Sequence, residues 1–537
     1  MTTSLFGSAS EGRLVNNVVV VGAGTMGAGI ALSAARAGWS VDLIEVDEAA
    51  RARTPERLKK EAERGRCAGA VRLIRVLDAI ECSANATLAI EAVTERIDVK
   101  QAVFRQLADH LGSQAILATN TSSLSVTCLA RCVHNPGRVI GLHFFNPALL
   151  MKLVEIVRTE KTEPPAIDIA KAFVRNLGKT GIVTGDAPGF IVNRVARPFY
   201  LQALHALEDG VASIEDIDAL ARGAGFPMGP FELMDLIGLD VNLATSESIY
   251  QRTGVRRLAP VELQRKMVAQ DKLGRKTKRG FYSYGDGAAR ASPKEAAVPS
   301  QAARPKNENE MVLILCVGKR AREFLDAAGE GYRSVTLLQD DELILNADPA
   351  TNIVVDVPLS YDGDRLEAWR ALDSALAEDA VVCVDAYAGD FRRLGESVGR
   401  PQRFVGFGVI GSLAQQLVVE IVTADWSSEE ALLVAEDFFA RAGKQTRRVG
   451  YEPGLYLGAT VCSIISEAFY ACAEGVASKD DIDTAMKLAT NYPRGPFAWA
   501  MEIGAERVTG ILDDVARIKG PSYASAPMLP LLGGVDV

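Results

Sequence analysis

Residues 17–27 read NVVVVGAGTMG. Four consecutive valines predict a strand buried on both faces, as in the middle of a parallel sheet. Gly22, Gly24 and Gly27 follow at once in a GxGxxG pattern, and the next stretch, AGIALSAARAG, predicts a helix. A second strand at residues 40–46 completes a βαβ unit. In this setting the glycine pattern predicts a dinucleotide site, with phosphates at the helix N-terminus.

The residues of the predicted turn have separate tasks. The first glycine permits the tight turn, the second lets a pyrophosphate approach the backbone, and the third lets helix pack against strand. The stretch expected to hold the dinucleotide is therefore Gly22, Gly24, Thr25, Met26 and Gly27.

Glu45 ends the second predicted strand, 18 residues after Gly27. A carboxylate at this position accepts hydrogen bonds from ribose hydroxyls and repels a 2′-phosphate, which favours NAD over NADP. Asp47 is the competing residue for this role. Arg51 and Arg53 lie nearby and leave open whether a 2′-phosphate is excluded.

The rest of the chain divides into five predicted segments. Alternating strands and helices, among them a charged helix over residues 55–66 and strands near 88–93, 115–119 and 138–144, predict a Rossmann-type doubly wound α/β domain. The predicted segments are a Rossmann domain at 1–190, an all-α domain at 191–290, a linker at 291–310, a second Rossmann-like portion at 311–450 and a second helical portion at 451–537.

The second half of the chain repeats the first at a constant offset of 265 residues. Twelve residues from Pro136 to Asp218 have identical counterparts from Pro401 to Asp483. The front of the second copy is eroded, because the strand at 311–318 is followed by Lys319 and Arg320 instead of a glycine-rich turn. We therefore expect the second copy not to bind a dinucleotide.

Composition narrows the possible partners. Lys+Arg 59 against Asp+Glu 68 gives a net charge of −9 and a pI of about 5.3, which argues against a nucleic-acid surface. The longest apolar stretch, residues 455–473, contains Glu467, so no membrane insertion is expected. Eight scattered cysteines and the absence of a signal-like N-terminus predict reduced thiols and a cytoplasmic location. No metal site is predicted, although Cys128 and Cys132 lie one helical turn apart.

One of the four histidines stands out by its position. His143 ends the apolar run RVIGLHF, at the sheet edge where ligands of open α/β sheets bind. An imidazole there suits the removal of a hydroxyl proton during hydride transfer, and its cation needs a carboxylate partner. Glu155, twelve residues later, is brought beside His143 if the next strand returns like a hairpin. A buried histidine with a purely structural role is the alternative at this point.

Several longer stretches resemble one family of dehydrogenases. VVVVGAGTMGAGIA, EAVTERIDVK, NTSSLSVT, GLHFFNPALLMKLVEIV, DAPGFIVNRVARP, AGFPMGPFELMDLIGLD and KTKRGFY are similar to stretches of the L-3-hydroxyacyl-CoA dehydrogenases of β-oxidation. The resemblance covers residues 15–285 and implies NAD-dependent interconversion of (S)-3-hydroxyacyl-CoA and 3-oxoacyl-CoA. The duplicated layout resembles more narrowly the long members of the family that oxidise 3-hydroxyadipyl-CoA in phenylacetate breakdown.

The resemblance also implies roles for particular residues. His143 is implied as acid/base, Glu155 as its partner, Ser122 as a hydrogen-bond donor to the substrate oxygen near the nicotinamide, and Asn193 as a group that holds the thioester or 3-oxo oxygen. The further positions implied to touch NAD are Glu95, Lys100, Asn146 and Lys276.

Some residues depart from the family pattern or lie outside it. The family usually has Asp where this chain has Glu45, and the region between Glu45 and Glu91 is shorter than usual. That region includes the helix expected to contact CoA. Its basic residues either bind the CoA phosphates or form a solvated helix face. These residues are Arg57, Lys59, Lys60 and Arg64. Arg194 and Arg197 are candidates for binding a distal carboxylate of the substrate, with structural salt bridges as the alternative.

The second copy lacks the implied catalytic residues. At the 265-residue offset, Ser122 corresponds to Tyr387, His143 to Gly408 and Asn193 to Gly458, whereas Glu155 corresponds to Glu420. In short family members the helical domain forms a homodimer, so we expect residues 451–537 to cover the first helical domain as an internal pseudo-dimer; higher oligomers are open. The rival functions are a dehydrogenase of a free hydroxy acid or sugar acid, and a non-catalytic NAD-binding protein.

Overall fold

The computed structural model describes residues 17–80, 86–285, 310–316, 320–329, 332–338, 348–358 and 363–530. The predicted linker at 291–310 lies outside this part of the chain apart from Glu310, and so does Lys319. Two compact units are present. One comprises the chain up to Arg194 together with Glu474–Thr490, and the other comprises Val195–Ala473 together with the chain from Asn491.

The first unit is built on an eight-stranded sheet with the order β3-β2-β1-β4-β5-β6-β7-β8. All neighbouring strands are parallel except β6 and β7. The expected strands are present, while the edge strand β3, with the sequence IRVL, was not predicted. The strands are β1 Asn17–Val21, β2 Ser40–Ile44, β3 Ile74–Leu77, β4 Leu88–Glu91, β5 Ile116–Thr119, β6 Val139–Phe144, β7 Leu153–Arg158 and β8 Thr180–Gly185.

Helices pack on both faces of this sheet, and apolar side chains from strands and helices form a core cluster on each face. The charged helix expected over residues 55–66 begins earlier, at Glu48, because the Asp47 side chain caps its first turn. Pro55 therefore lies inside the helix and does not start it. The helices in this part of the chain are α1 Thr25–Arg36, α2 Glu48–Arg64, α3 Ile97–His110, α4 Val126–Ala130, α5 Pro164–Asn176 and α6 Val192–Val195.

The chain after β8 is helical, as the sequence predicts. The helices of this first helical domain are α7 Arg197–Glu208, α8 Ile214–Gly223, α9 Pro230–Ile237, α10 Leu239–Thr253 and α11 Glu262–Ala269. The KTKRGFY motif follows α11 and is held by Asp235, whose carboxylate accepts hydrogen bonds from the backbone N–H groups of Phe281 (3.0 Å) and Tyr282 (2.9 Å).

The second half of the chain forms a seven-stranded sheet with the order β10-β9-β11-β12-β13-β14-β15. Its strands are β9 Met311–Cys316, β10 Ser334–Leu338, β11 Ile353–Val357, β12 Val381–Asp385, β13 Phe404–Gly408, β14 Val418–Thr423 and β15 Gln445–Gly450. Its helices are α12 Ala321–Ala328, α13 Gly363–Ala375, α14 Phe391–Ser397 and α15 Glu429–Arg441. Strands β7 and β14 start at residues 153 and 418, which is the 265-residue offset expected from the sequence.

The second helical domain follows, with α16 Tyr456–Ala473, α17 Lys479–Thr490, α18 Pro496–Ile503 and α19 Ala505–Lys519. Within the described residues, α16 is the one helix long and apolar enough to cross a membrane by length and composition, and 78% of it is buried inside the protein. The charge of Glu467 on this helix is compensated by Arg257, whose Nε lies 2.8 Å from the Glu467 carboxylate.

Helices of each copy pack against strands of the other copy. In the first unit α17 lies on β7 and β8, and the backbone N–H of Gly185 donates to the carbonyl of Val476 at 3.0 Å. In the second unit α8 lies on β14 and β15, and the backbone N–H of Gly450 donates to the carbonyl of Val211 at 2.7 Å. The two hydrogen bonds are equivalent to each other. Gly450 lies 265 positions after Gly185, and Val476 lies 265 positions after Val211.

The packing of α8 on β14 can be tested at Gly223. A Cβ at Gly223 would lie 2.5 Å from the Val418 side chain and 2.9 Å from the Val418 backbone nitrogen. We expect Gly223→Ala to lower the free energy of unfolding by about 1–3 kcal/mol, because the backbone of β14 must shift. Urea or thermal denaturation of the full chain measures the effect.

The matched control is Gly510→Ala on α19, where a Cβ would meet no atom within 4 Å. This substitution should raise stability by roughly 0.5–1 kcal/mol, through helix propensity alone. Equal stability of the two variants would contradict the close contact between α8 and β14.

Candidate active site

The glycine-rich turn between β1 and α1 has the geometry that the sequence predicts. Gly22 has φ +100°, and a Cβ there would lie 2.8 Å from the Ala92 carbonyl oxygen. A Cβ on Gly27 would lie 1.8 Å from the Gly22 carbonyl oxygen, so the turn excludes any side chain at this position. By contrast, a Cβ on Gly24 would meet no atom within 4 Å. The first and third glycines are therefore required by the fold, and the second leaves open space beside the backbone.

This turn fits a dinucleotide. Gly24 and Thr25 are exposed at the start of the 12-residue helix α1, Met26 is half-buried, and no acidic residue lies in the first turn. Unpaired N–H groups and the positive end of the helix dipole attract phosphate at such a position.

The end of β2 favours Glu45 over Asp47 as the ribose partner. The Glu45 carboxylate accepts hydrogen bonds from the backbone N–H groups of Ala23 (3.0 Å) and Asp47 (3.1 Å), which holds it beside the glycine turn. Asp47 is used differently: its carboxylate caps α2 by accepting from the Ala50 N–H at 2.7 Å. Arg51 donates to the backbone carbonyl of Glu45 at 2.9 Å, while Arg53 is exposed.

The basic residues of α2 have different surroundings. Arg57 donates to the Ala23 carbonyl at 2.7 Å and therefore lies at the glycine turn. Lys59 and Lys60 are exposed, and Lys60 pairs with Glu56 at 2.7 Å within the same helix. This exposure is compatible with both alternatives for the two lysines, contact with CoA phosphates and a solvated helix face.

A buried ion pair supports the sheet edge beside this turn. The Lys100 side chain is 1% exposed, and its ammonium lies 2.7 Å from the Glu91 carboxylate and 3.2 Å from that of Glu95. Glu91 is fully buried and also accepts from the Thr119 hydroxyl at 2.7 Å. The resemblance implies that Lys100 touches NAD, and in this structure its ammonium is buried against the two carboxylates.

Glu95 organises the loop that carries Ser122. Its Oε1 accepts hydrogen bonds from the Thr121 hydroxyl (2.5 Å) and from the backbone N–H groups of Ser122 (3.0 Å) and Ser123 (3.1 Å). Burial raises the pKa of Glu95, but the Lys100 charge and the hydrogen bonds outweigh this effect and lower the pKa overall. The ionised carboxylate therefore holds Ser122 at the end of β5.

His143 and Glu155 face each other across the antiparallel strands β6 and β7. The His143 Nδ1 lies 2.6 Å from the Glu155 Oε2, and both side chains are buried. Phe145 and Phe190 lie near the ring, with centroids 4.5 and 5.6 Å away. The hairpin-like return that the sequence suggested is therefore present, and a carboxylate on Nδ1 leaves Nε2 as the nitrogen that can exchange a proton with a substrate.

The other oxygen of Glu155 anchors the start of α6. Oε1 accepts hydrogen bonds from the backbone N–H groups of Ile191 and Val192, each at 3.0 Å. Asn193 is the next residue and is half-buried. One carboxylate thus fixes both the imidazole and the peptide that leads to Asn193.

The remaining predicted residues are distributed as follows. Asn146 is exposed two residues after β6. Lys276 belongs to the other unit, where its ammonium lies 2.5 Å from the Asp240 carboxylate.

Both arginines considered for a distal carboxylate are buried and have other partners. Arg194 forms a two-pronged ion pair with Glu474, at 2.5 and 2.8 Å. Arg197 donates to Ser246 at 3.0 Å inside the helical domain and lies over the Tyr200 ring. The structure therefore supports the salt-bridge alternative for Arg194 and a packing role for Arg197.

Sequence reasoning missed three supporting residues, Glu91, Thr119 and Asn120. The Asn120 amide oxygen accepts from the backbone N–H of Phe144 at 2.9 Å, directly after His143. For the buried ion pair, the sequence offered one signal, which is the acidic residue at the end of the apolar strand LAIE followed by a lysine nine residues later.

In the second copy, one tyrosine fills the space of the missing residues. The Tyr387 hydroxyl lies 2.5 Å from the Glu420 Oε2. A Cβ on Gly408 would lie 2.9 Å from that hydroxyl, and a Cβ on Gly458 would lie 2.5 Å from the Tyr387 ring. The counterparts of Ser122, His143 and Asn193 therefore meet around the retained glutamate.

A glycine-rich dinucleotide turn and a histidine–glutamate pair on one α/β sheet define a nicotinamide-dependent dehydrogenase. The sequence model described as "3-hydroxyacyl-CoA dehydrogenase, NAD binding domain" matches residues 17–187. The model described as "3-hydroxyacyl-CoA dehydrogenase, C-terminal domain" matches residues 189–284 and 454–533. The chain belongs to the 3-hydroxyacyl-CoA dehydrogenase family, and it is an NAD-dependent oxidoreductase.

Similar proteins cover either the whole chain or its first half. The chain is 36% identical to the 3-hydroxyadipyl-CoA dehydrogenase of Escherichia coli K12, over 94% of each chain. It is 39% identical to the probable 3-hydroxybutyryl-CoA dehydrogenase of Bacillus subtilis, over 50% of this chain and 98% of that one. The crystal structure of 3-hydroxybutyryl-CoA dehydrogenase from Escherichia coli K12 matches with a TM-score of 0.74 and 33% identity, over 97% of this chain and 99% of that chain.

The buried ion pair gives a stability prediction. In Lys100→Met the carboxylate of Glu91 loses its cation inside the protein, so we expect a loss of roughly 3–5 kcal/mol in the free energy of unfolding. The double variant Glu91→Gln/Lys100→Met removes both charges and should recover part of that loss. Thermal and denaturant unfolding measure both effects, and a single variant as stable as the double one would contradict the predicted charge effect.

Proposed function

We propose that His143 is the acid/base of a 3-hydroxyacyl-CoA dehydrogenase reaction and that Glu155 positions and stabilises its imidazole. In the oxidation direction, His143 Nε2 takes the proton of the substrate 3-hydroxyl. NAD, when bound, accepts the hydride from C3. The single observation that carries this proposal is the 2.6 Å contact between His143 Nδ1 and the buried Glu155.

The pair is suited to this task by its burial. An imidazole that gains a proton becomes a cation, and a fully buried carboxylate at hydrogen-bond distance stabilises that cation strongly. In the reverse direction the same Nε2 returns the proton to the 3-oxo group. Glu155 also accepts hydrogen bonds from two peptide N–H groups, which hold the carboxylate in place.

We assign substrate binding to Ser122 and Asn193. The Ser122 hydroxyl would donate to the 3-oxygen, and the Asn193 amide would hold the thioester or 3-oxo oxygen. The second copy supports this grouping, because its residues at the equivalent positions meet around Glu420. Glu420 lacks a histidine partner and bonds Tyr387 instead, which is the arrangement expected of a site whose chemistry has been lost.

The NAD contacts are likewise assigned from the geometry of the turn and the family pattern. Gly22, Gly24, Thr25, Met26 and Gly27 would hold the pyrophosphate, and Glu45 would bind the adenosine ribose. We further assign Glu95 and Asn146 to the nicotinamide side and keep Lys276 as a candidate contact. Lys100 is assigned a supporting role beneath Glu95.

The acyl group of the substrate is inferred from the relatives. Of the relatives that match nearly the full duplicated chain, one is named for 3-hydroxyadipyl-CoA, and a solved structure is titled 3-hydroxybutyryl-CoA dehydrogenase. Half-length relatives are also named for 3-hydroxybutyryl-CoA. We propose 3-hydroxyadipyl-CoA, as in phenylacetate catabolism, from the name of the curated relative that shares the duplication, with 3-hydroxybutyryl-CoA as the alternative. Rates with the two thioesters distinguish them. Arg194 and Arg197 are not assigned to its distal carboxylate, since both already have partners.

Two rival functions remain distinguishable by one assay. A dehydrogenase of free hydroxy acids or sugar acids would not use a CoA thioester. A non-catalytic NAD-binding protein would convert neither a CoA thioester nor a free acid. Mixing the protein with acetoacetyl-CoA and NADH and following the nicotinamide absorbance tests both. Oxidation of NADH supports the proposal, and no oxidation with any 3-oxoacyl-CoA contradicts it.

The role of His143 is tested by His143→Gln. We expect turnover to fall by about 10²–10⁴-fold, because the proton acceptor is lost, while NAD affinity stays within roughly twofold of wild type. Steady-state kinetics and NADH fluorescence titration measure the two quantities. Unchanged turnover would remove His143 from the mechanism.

We further propose that the second half forms an internal pseudo-dimer with the first. Helix α7 packs on α16, and the Arg257 guanidinium lies 4.0 Å from the Tyr470 ring centroid. The backbone N–H of Arg257 donates to the hydroxyl of Ser522, its own counterpart, at 3.1 Å. Reciprocal contacts of this kind, together with the paired hydrogen bonds of Gly185 and Gly450, are typical of a two-fold interface.

Truncation after residue 290 tests the pseudo-dimer. The apolar surface of α7 that α16 covers would then face water, at about 25 cal/mol per Å². We expect the truncated chain to be insoluble or to form a new homodimer in analytical ultracentrifugation. A well-behaved, active monomer would contradict the proposal.

A cytoplasmic location is proposed from the cysteines. The seven cysteines in the described residues are free thiols, and four of them are partly or fully accessible. Free thiols of this kind suit a reducing compartment.

A further inference from the structure

The loop between β5 and α4, residues 120–125, treats the Ser122 hydroxyl differently from the hydroxyls beside it. The Thr121 and Ser123 hydroxyls both donate to the Glu95 carboxylate, at 2.5 and 2.9 Å. In the part of the chain that the structure describes, the half-buried Ser122 hydroxyl makes no hydrogen bond, and only its backbone N–H is bound. The hydroxyl assigned to the substrate oxygen is therefore available to that oxygen.

The backbone of this loop is held by side-chain oxygens. Four consecutive backbone N–H groups, those of residues 121–124, donate to such oxygens at 3.0–3.2 Å. The first donates to the Thr119 hydroxyl, the next two donate to the Glu95 carboxylate, and the last donates to the Thr121 hydroxyl. These bonds fix the path of the backbone on both sides of Ser122 and leave its side chain free.

The direction of the Thr119 hydroxyl follows from its partners. Thr119 and Glu91 are both fully buried, and the Thr119 hydroxyl lies 2.7 Å from the Glu91 carboxylate. That carboxylate already accepts from the Lys100 ammonium and from the Val93 N–H, each at 2.7 Å. A hydroxyl has one proton to donate, so the Thr119 O–H points at Glu91 and its oxygen accepts the Thr121 N–H.

One buried cation is common to both groups of contacts. The Lys100 side chain is 1% exposed, and its ammonium lies 2.7 Å from the Glu91 carboxylate and 3.2 Å from that of Glu95. Through Glu91 it orients Thr119, and through Glu95 it holds the backbone N–H of Ser122. The loop is thus connected to α3 by two separate paths.

We propose that Thr119 is a positioning residue for the reaction. Its hydroxyl connects the buried Glu91 carboxylate to the peptide of Thr121, and this connection places the Ser122 hydroxyl at the substrate oxygen. Thr119 itself is buried at the end of β5 and touches neither substrate nor cofactor. The inference rests on the proposed role of Ser122 in binding the substrate oxygen.

A double-mutant cycle between Thr119 and Ser122 tests the proposal. Thr119→Val removes the hydroxyl and keeps the shape of the side chain. We expect it to lower turnover of acetoacetyl-CoA with NADH about tenfold, because the Ser122 hydroxyl is misplaced. In a Ser122→Ala background the same substitution should change turnover by less than about twofold, since the hydroxyl that Thr119 positions is already absent. Equal fold-losses in the two backgrounds would overturn the proposal.

Two further variants separate positioning from a general effect on the fold. Thr119→Ser keeps the hydroxyl and should restore turnover to within about twofold of wild type. Thr184→Val is the matched control, because Thr184 is a buried threonine on β8 of the same sheet, with its hydroxyl donating to the Val476 carbonyl at 3.2 Å. It should unfold at a lower temperature and keep wild-type turnover. Turnover of Thr119→Ser as low as that of Thr119→Val would contradict the role of the hydroxyl.

Thermal unfolding followed by circular dichroism shows whether Thr119→Val is folded, and we expect it to be, since Glu91 keeps its bonds to Lys100 and Val93. If it does not fold, Thr119→Cys takes its place in the same cycle, because a thiol is a weaker donor and acceptor than a hydroxyl. Equal losses of Thr119→Cys in both backgrounds overturn the proposal in the same way.

The outcomes also separate this inference from the proposed function. A large loss of turnover in Ser122→Ala, with equal losses from Thr119→Val in both backgrounds, refutes the positioning role and leaves the role of Ser122 intact. Wild-type turnover in Ser122→Ala refutes the role of Ser122 and overturns this inference with it. A loss from Thr119→Val that disappears in the Ser122→Ala background supports both.

Discussion

The Glu155 carboxylate is the contact on which the site depends. It lies between two elements that are remote in sequence, with one oxygen on His143 and the other on the backbone N–H groups of Ile191 and Val192. Burying a carboxylate without hydrogen bonds is costly, so these partners stabilise the fold as well as serving the proposed chemistry. The strand that carries the histidine and the helix that carries Asn193 are therefore held by the same group.

The second copy shows what the carboxylate does when the imidazole is absent. Glu420 still accepts a backbone N–H, that of Leu457 at 3.1 Å, but its other partner is the Tyr387 hydroxyl. Burial raises the pKa of Glu420 to about 7, and the hydrogen bonds only partly oppose this shift. The glutamate was retained while the histidine became Gly408, which indicates that its link to the helix matters for the fold independently of catalysis.

The sequence predicted those features that depend on local pattern or on a constant offset. The βαβ unit, the glycine turn and the 265-residue register all belong to this class, and the antiparallel return of β7 brought Glu155 beside His143 as expected. The burial of Lys100 was not predictable, because it depends on how α3 packs over the end of β4. Arg194 was also ambiguous, since its partner Glu474 lies 280 residues away in the chain. Such long-range contacts have no signal in a single sequence.

The packing of α17 on the first sheet also could not be predicted from the local sequence pattern. Helix α17 belongs to the second copy by its place in the 265-residue repeat, yet it packs on β7 and β8 of the first sheet. The predicted segment 451–537 places it with the rest of the second helical portion, whereas the structure groups Glu474–Thr490 with the first unit. Composition divides the chain into consecutive segments. Packing groups segments with complementary apolar surfaces, and these need not be consecutive. The 265-residue duplication is the sequence feature from which the proposed internal pseudo-dimer, and with it such an exchange, was expected.

We propose that Glu155 fixes the His143 tautomer with the proton on Nδ1 and leaves Nε2 free to accept. Long-range ¹H–¹⁵N correlation spectra of ¹⁵N-histidine-labelled protein measure this directly, since the chain has only four histidines and His143→Gln assigns the signal. We expect a protonated Nδ1 with a strongly deshielded proton and an unprotonated Nε2 in the neutral ring. A neutral ring protonated on Nε2 would contradict it.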